Sequence, residues 1–244
     1  SSDLAYYDQG KKFPNVIVTN INTSIDSVLL PTMASAQDNP ERVKSMTRRA
    51  IKTSTYIMAP LMMGLAFCAE PIVGLVWTAK WLPCVPFLRI FCITYMFYPI
   101  HTANLNAIKV MGRSDLFLKL EIVKKVVGIA LLLSTMWFGV MAMAYSLLIS
   151  SVLSQIINSW PNRKLLRYGY LEQLKDILPG IALAVLMGCC VNLVGLFHLT
   201  NIVTLLIQLP LGAVLYIGAS ALLHLESFEY MRDLIRPMIK KIRK

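Results

Sequence analysis

Apolar stretches long enough to cross a membrane recur along the whole chain, separated by short basic segments. A helix needs about 20 mostly apolar residues to span a bilayer core. Hydrophobic residues make up 56% of the 244 residues and charged residues only 15%, against about 25% charged in soluble domains. We therefore predict an all-α fold, a polytopic membrane helix bundle of about seven crossings in residues 1–224. The crossings lie near residues 15–34, 56–77, 84–109, 116–137, 140–160, 177–197 and 202–224.

Positive charge is distributed unevenly between these crossings. The net charge is +11, and 20 of the 24 Lys and Arg residues lie in the segments 35–54, 109–125, 161–175 and 225–244. Seven crossings place all four segments on one side, which the positive-inside rule assigns to the cytosol. The basicity then reflects topology and attraction to anionic membrane lipids, and nucleic-acid binding is not expected. Residues 225–244 have apolar residues on one side of a helix and basic residues on the other, which predicts an amphipathic cytosolic tail.

Polar side chains interrupt the stretch at 84–109. At ~100° per residue, Arg89, Thr94, His101 and Asn104 fall within an arc of roughly 140° on one helix. Such a face at membrane depth is typical of a helix that lines a bundle interior or a wet cavity. The alternative is that Arg89 extends to the interface while the amide and imidazole groups only join helices together.

Charged residues also occur inside two other stretches. Lys124 and Lys125 lie in the crossing at 116–137, where Glu121 and Lys125 have the favourable spacing for a helix-surface ion pair. The alternative is that a lysine presents its charge to an anionic substrate in a central cavity. Asp26 in the first stretch is either an ion-coupling group or a packing residue bonded to neighbouring Asn or Ser side chains.

The sequence contains no recognisable catalytic motif. Three histidines lie in different spans or turns, five cysteines lack metal-ligand spacing, and a phosphate-binding loop is absent from the sequence. We therefore expect neither an enzyme nor a cofactor or metal site. Transport by such a chain would be driven by an ion gradient, by the substrate gradient or by another subunit.

Two stretches resemble a known family. LAYYDQGKKFPNVIVTNINTSIDSVLLPTMASAQ (residues 4–37) is similar to polysaccharide flippases of the MOP superfamily, of the O-antigen, colanic-acid and teichuronic-acid type. The segment from Glu70 to Lys125 resembles the same proteins in the phrases KWLPCVPFL, HTANLNA and GRSD. The resemblance covers about half the chain, and residues 126–244 agree only in the number and orientation of helices.

The resemblance implies a role in transport. Family members have two lobes around a central cavity and carry undecaprenyl-pyrophosphate-linked oligosaccharides across the bacterial cytoplasmic membrane by alternating access, for polysaccharide biosynthesis. It implies that this chain is the C-terminal lobe, inactive without the missing N-terminal lobe. The implied partners are the lipid-linked oligosaccharide, the N-terminal lobe and the glycan polymerase machinery.

The resemblance also bears on the site residues. Several basic residues fall on positions that are often basic in the family, whereas Asp26 stands where a neutral polar residue is expected. The family therefore gives no support to an acidic coupling role at Asp26. The first alternative function is an ion-coupled antiporter of the related multidrug-extrusion (MATE) branch, which would use a protonatable carboxylate such as Asp26. The second alternative is a membrane scaffold that does not transport. The candidate substrate-binding residues are Lys12, Arg89, His101, Asn104, Lys124 and Lys125, with Asp26 as the candidate for ion coupling.

Overall fold

Ten α-helices and no strand form the part of the chain that the structure describes, residues 2–197 and 199–242. The structure is a computed structural model, and the last two residues of the predicted tail lie outside the described residues. The all-α fold class is confirmed. The helices are α1 (Ser2–Ala34), α2 (Pro40–Phe67), α3 (Ala69–Val76), α4 (Val85–Met96), α5 (Tyr98–Val110), α6 (Ser114–Thr135), α7 (Val140–Leu165), α8 (Tyr170–Val194), α9 (Asn201–Leu222) and α10 (Glu226–Ile242).

Helix α1 begins well before the predicted first crossing at residue 15. Residues 1–13 are polar, and hydropathy alone assigns them to a boundary segment. Their aromatic side chains pack against the rest of the bundle, because Tyr7 meets Phe91 edge to face at 5.0 Å and Phe13 stacks on Trp77 at 4.5 Å between ring centroids. Tertiary packing therefore extends the helix into this polar segment.

Gly10 allows α1 to approach α4 closely. A Cβ atom at this position would lie 2.8 Å from the backbone nitrogen of Leu88 and 2.9 Å from the Cβ of Phe87. Small residues permit such backbone contact between membrane helices. Because Gly10 has no side chain, α1 and α4 can cross in backbone contact at this position.

Helix α2 runs without a break from the basic segment at 35–54 into the crossing that follows it. The Asn39 side chain accepts a hydrogen bond from the backbone of Arg42 at 3.1 Å, and Pro40 occupies the first turn, which are both favourable helix-start features. The predicted crossing at 56–77 is not straight, because the chain bends by 69° between α2 and α3.

The crossing predicted at 84–109 consists of two helices, α4 and α5, which meet at Phe97. Pro99 lies in the first turn of α5, where its missing N–H has no intrahelical partner to lose. Residues 79–110 nevertheless form one stretch that is long and apolar enough to span a membrane.

Length and composition support fewer crossings than the seven predicted. Among the described residues, four stretches qualify, at 79–110, 140–165, 170–197 and 201–222, and the bent pair α2–α3 would make a fifth. Helices α1 and α6 are long enough but carry polar or charged residues along their length. The seven-crossing topology stays a prediction.

Two connections are tighter than the sequence indicates. Most of the basic segment at 161–175 is helical, because α7 continues to Leu165 and α8 begins at Tyr170, so the link between them is short. Between α5 and α6, the Arg113 guanidinium donates to Asp115 at 2.9 and 3.0 Å. This contact lowers the pKa of the Asp115 carboxyl to about 2.

The core lies around α2, α4 and α5, and the peripheral helices face outwards. Met62, Leu88 and Phe91 are fully buried, whereas α6 has no buried residue and packs mainly on α7. Trp137 and Leu222 are each 82% exposed. Large apolar side chains on the outer surface are expected where lipid replaces water.

Candidate functional site

A cavity of about 390 Å³ lies between α1, the α4–α5 pair, α6 and α7. Its volume falls within the roughly 300–1,000 Å³ of small-molecule sites. The lining combines basic, aromatic, hydroxyl and amide side chains. These residues are Lys11, Thr94, Tyr95, Tyr98, His101, Thr102, Leu105, Lys124, Leu147, Ser150, Ser151, Ser154 and Asn158; we call this space the α1–α7 cavity.

Two lysines from distant parts of the chain meet at the α1–α7 cavity. Lys124 comes from α6, with 15% of its side chain exposed, and forms an ion pair with Glu121. The helix-surface pair expected between Glu121 and Lys125 is replaced by this one, three residues apart. Lys11 comes from α1 and has no acidic partner within 4.0 Å among the described residues.

His101 lies beside these lysines on the cavity wall. Its Nδ1 accepts a hydrogen bond from Asn158 Nδ2 at 3.3 Å, which leaves the imidazole proton on Nε2 in the neutral form. The Tyr98 ring meets the imidazole edge to face at 5.8 Å between centroids. Asn158 is 0% exposed, and its Oδ1 has no hydrogen-bond partner.

Serines of α7 supply the hydroxyl side of the cavity. Ser151 donates to the Thr94 carbonyl oxygen at 3.2 Å and so joins α7 to α4. A Cβ atom on Gly128 would lie 3.6 Å from Ser150 Oγ, so the repeated serines also allow α6 to pack closely. Ser150 and Ser154 therefore combine a packing position with a position on the cavity wall.

Arg89, predicted on the same face as His101, lies away from the α1–α7 cavity. Its Nε donates to the Ala66 carbonyl oxygen at 3.2 Å and its Nη2 to Glu70 at 3.0 Å. The bend after α2 leaves carbonyl groups at the helix end without helical partners. The guanidinium therefore links the bend to α4 in this structure.

Asn104 is fully buried in a network that joins α5, α7 and α8. Its Nδ2 donates to Gln173 at 2.8 Å, and its Oδ1 accepts from Gln173 at 2.9 Å and from Asn162 at 2.7 Å. Its side chain is 0% exposed. In this conformation Asn104 has the packing role that was the alternative to cavity lining.

The remaining predicted residues lie on exposed surfaces. Lys12 and Lys125 point away from the α1–α7 cavity, each next in sequence to a lysine that lines it. Asp26 is exposed and accepts a hydrogen bond from Asn106 Nδ2 at 2.6 Å. This is the asparagine contact considered for Asp26 from the sequence.

Helix α1, which contributes Lys11 to the α1–α7 cavity, also has exposed polar side chains further along its length. Asn20, Thr23 and Ser24 each donate to the backbone carbonyl four residues earlier, at 2.8 Å. These local bonds satisfy the side chains within the helix itself. They make a polar face compatible with a membrane setting, provided that the face lines water or another protein surface.

Sequence reasoning missed Lys11, Tyr98 and the α7 serines as site residues. Two adjacent lysines project about 100° apart on a helix, so composition could not decide between Lys11 and Lys12. Serines recur every four residues at 146, 150 and 154, a spacing that by itself indicates only a seam of small residues for close helix packing. The seam's contact with a cavity depends on how α6 and α7 pack, which the sequence pattern does not specify.

Known proteins resemble this chain in sequence. A family model described as "Polysaccharide biosynthesis protein" matches residues 1–86. A membrane protein in the cps region of Klebsiella pneumoniae is 29% identical over 141 residues, which are 57% of this chain and 29% of that protein. The lipopolysaccharide biosynthesis protein WzxC of Escherichia coli K12 is 25% identical over 139 residues, 57% of this chain and 28% of WzxC. The matches thus span less than a third of the length of these curated relatives.

A solved transporter shares the fold. The lipid II flippase MurJ, in an inward closed conformation, superposes with a TM-score of 0.75 at 18% identity, over 96% of this chain and 48% of MurJ. Almost all of this chain therefore corresponds to about half of that flippase. The names of these proteins describe a flippase and membrane or biosynthesis proteins, in agreement with the expectation that the chain is not an enzyme. The family model and the two curated relatives therefore relate part of this chain to membrane proteins of polysaccharide and lipopolysaccharide biosynthesis, and the superposition shows that the chain has the fold of about half of MurJ.

Proposed function

We propose that this chain forms one half of a transporter that moves a lipid-linked oligosaccharide across the bacterial cytoplasmic membrane for polysaccharide biosynthesis. The observation that carries the proposal is the superposition of nearly the whole chain on about half of a lipid II flippase. The carrier lipid, undecaprenyl pyrophosphate, is proposed from the sequence resemblance in residues 4–125. The chain is proposed to act as the C-terminal lobe.

The polar face of α1 supports a second half as partner. A polar surface on a membrane helix is costly against lipid and needs water or protein opposite it. Thr19, Thr23 and Asp26 are exposed on α1, the helix that contributes Lys11 to the α1–α7 cavity. We propose that this face and the cavity line the substrate path once the other lobe is present.

His101 and Lys124 are the sequence-predicted residues that this proposal retains for substrate contact, and Lys11 joins them. All three line the α1–α7 cavity. The antiporter alternative requires an ionisable group at Asp26 and can be tested directly. The substitution Asp26→Asn removes the ionisable group and retains the shape of the side chain. Under the flippase proposal, oligosaccharide transport by this variant stays within about twofold of the parent.

Proteoliposomes test the function directly. The lipid carries a fluorescent oligosaccharide on undecaprenyl pyrophosphate, and an impermeant quencher reports its transfer between leaflets. The chain joined to the preceding half of the Klebsiella pneumoniae relative is expected to move the lipid, and the chain alone is not. A joined protein that inserts and folds but leaves the lipid in its original leaflet would contradict the proposal, and so would transport by the chain alone.

A further inference from the structure

The charge balance of the α1–α7 cavity constrains its ligand. Lys11 and Lys124 contribute two positive charges, and Glu121, paired with Lys124, contributes one negative charge. His101 is neutral when its Nδ1 accepts from Asn158. The stretch of α7 at the cavity, residues 147–158, has no charged residue. The cavity therefore has a net charge of about +1, carried by Lys11.

The remaining polar groups match a polyhydroxy ligand. Tyr98, Thr102 and Ser154 line the cavity with hydroxyl groups that make no hydrogen bond to another described residue. Asn158 Oδ1 is a buried acceptor without a partner, and buried polar atoms are normally satisfied by protein, water or ligand. A sugar ring offers both donors and acceptors to such a surface, and the Tyr95 and Tyr98 rings provide apolar faces.

We propose that the α1–α7 cavity is a subsite for an acidic sugar residue, with its carboxylate bound by Lys11 and its hydroxyl groups by Asn158 and the α7 serines. The inference rests on the proposed transport of a glycan. A single carboxylate matches the net charge of about +1, whereas a pyrophosphate carries at least two negative charges and would leave charge unpaired. The subsite therefore recognises the glycan and not the pyrophosphate of the carrier lipid.

Binding to the 244-residue chain in lipid nanodiscs tests this subsite. The probes are a disaccharide that ends in glucuronic acid, its methyl ester and inorganic pyrophosphate, measured by titration calorimetry. The acid is expected to bind about tenfold more tightly than the ester, because the ester has no negative charge to pair with Lys11 and a hydrogen bond to a charged group is stronger than one to a neutral group. Lys11→Gln is expected to remove this preference, and Lys11→Arg to retain it.

Lys119→Gln is the control for Lys11→Gln. It also removes one lysine charge, but Lys119 is exposed and lies outside the cavity lining. It is expected to bind the acid as the parent does. Equal affinity for acid and ester, or no binding of either, would overturn the proposal. Competition by pyrophosphate at the same site would overturn it in favour of a phosphate site.

The outcome is separable from that of the transport experiment. Loss of lipid transfer in proteoliposomes with intact acid binding would contradict the proposed function and leave the sugar subsite standing. Transport of the lipid without any preference for the acid over the ester would contradict the sugar subsite and leave the proposed function standing. Helical circular dichroism of each variant in nanodiscs shows whether a lost preference reflects a lost fold.

Discussion

Asn104 is the residue through which three helices share hydrogen bonds. Replacing it with alanine leaves the Gln173 Oε1 without a hydrogen-bond donor in a fully buried region, and the amide N–H groups of Gln173 and Asn162 lose their shorter acceptor. An unsatisfied buried group costs about 1–3 kcal/mol. We therefore expect Asn104→Ala to lower the free energy of unfolding by about that amount, measured by thermal or denaturant unfolding in detergent.

Asn15→Ala is the control for this change. Asn15 is exposed on α1 and is expected to change stability by less than about 0.5 kcal/mol. If Asn104→Ala unfolds with the same midpoint as Asn15→Ala, then the network contributes nothing measurable to stability. The packing role assigned to Asn104 would then be wrong.

Gly10 limits the distance between α1 and α4 at a single atom position. In Gly10→Ala the new Cβ would meet the Leu88 backbone nitrogen at 2.8 Å, and two helix backbones must shift. Overpacking costs up to about 3 kcal/mol, which outweighs the helix-propensity gain of about 1 kcal/mol. We expect a lower melting temperature for the variant.

Gly218→Ala should have the opposite sign. Gly218 is exposed on α9, with no atom within 4 Å of an added Cβ, so only the propensity gain remains. Comparable stabilisation by both substitutions would show that α1 and α4 are not in backbone contact at Gly10.

For single residues, the sequence indicated which types of side chain belong to the candidate site better than it indicated where each one lies. His101 and Lys124 were predicted as candidate site residues, and both line the α1–α7 cavity. Arg89 was predicted on the same helix face, but the carbonyl groups freed by the bend after α2 provide it with a nearer partner. Contacts made across helices decide these cases, and hydrophobic periodicity contains no information about them.

The bend between α2 and α3 is held by one side chain from another helix. Arg89 donates both to the Ala66 carbonyl oxygen and to Glu70. In Arg89→Ala the carbonyl loses its partner, so the amides of α3 should open more readily. We expect about tenfold faster hydrogen exchange in residues 69–76, since a charged hydrogen bond is worth about 1.5–3 kcal/mol.

Glu70→Gln separates the two contacts of Arg89. The Arg89–Glu70 pair is largely exposed, and exposed ion pairs contribute about 0–1 kcal/mol. Exchange in Glu70→Gln should therefore remain close to that of the parent. Faster exchange in Glu70→Gln than in Arg89→Ala would assign the stability of the bend to the ion pair and not to the carbonyl contact.

The sequence predicted which segments are helical, but it did not predict where each helix begins, ends or breaks. Apolar periods located the helices, yet α1 and α2 each extend into polar sequence because aromatic packing and an Asn39 cap favour helix there. The break at residue 68 follows no obvious apolar-to-polar change. Pro71 has no N–H to donate to the Phe67 carbonyl oxygen, which favours a break there, and α3 then packs against α9, a helix distant in the sequence.

At the scale of the whole molecule, the open question of topology concerns α1 and α6. Both lack the apolar content of the other crossings, but seven crossings require each to span. For α6 the requirement follows from the four basic segments, which share one side only if α6 crosses, whereas a crossing by α1 decides only the side of residues 1–13. Polar helices can span where their polar sides face a cavity or a partner, and both helices contribute a lysine to the α1–α7 cavity.

Single cysteines on a background without the five native cysteines can measure this topology. Ser114→Cys and Phe138→Cys flank α6 at exposed positions, and an impermeant thiol reagent is applied to right-side-out or inverted vesicles. Seven crossings predict that the cysteine at 114 reacts from the cytosolic side and the one at 138 from the outside. Lys164→Cys and Thr200→Cys flank α8, which qualifies as a span on composition, and serve as the control for opposite sides.

Labelling of positions 114 and 138 from the same side, with the α8 control intact, would show that α6 does not cross. Six crossings would then place the segments 161–175 and 225–244 opposite 35–54 and 109–125, against the positive-inside rule. Lys124 would in that case lie near the interface, and the α1–α7 cavity would open towards lipid headgroups. The side on which α6 ends therefore decides whether the lysine pair faces a transport path.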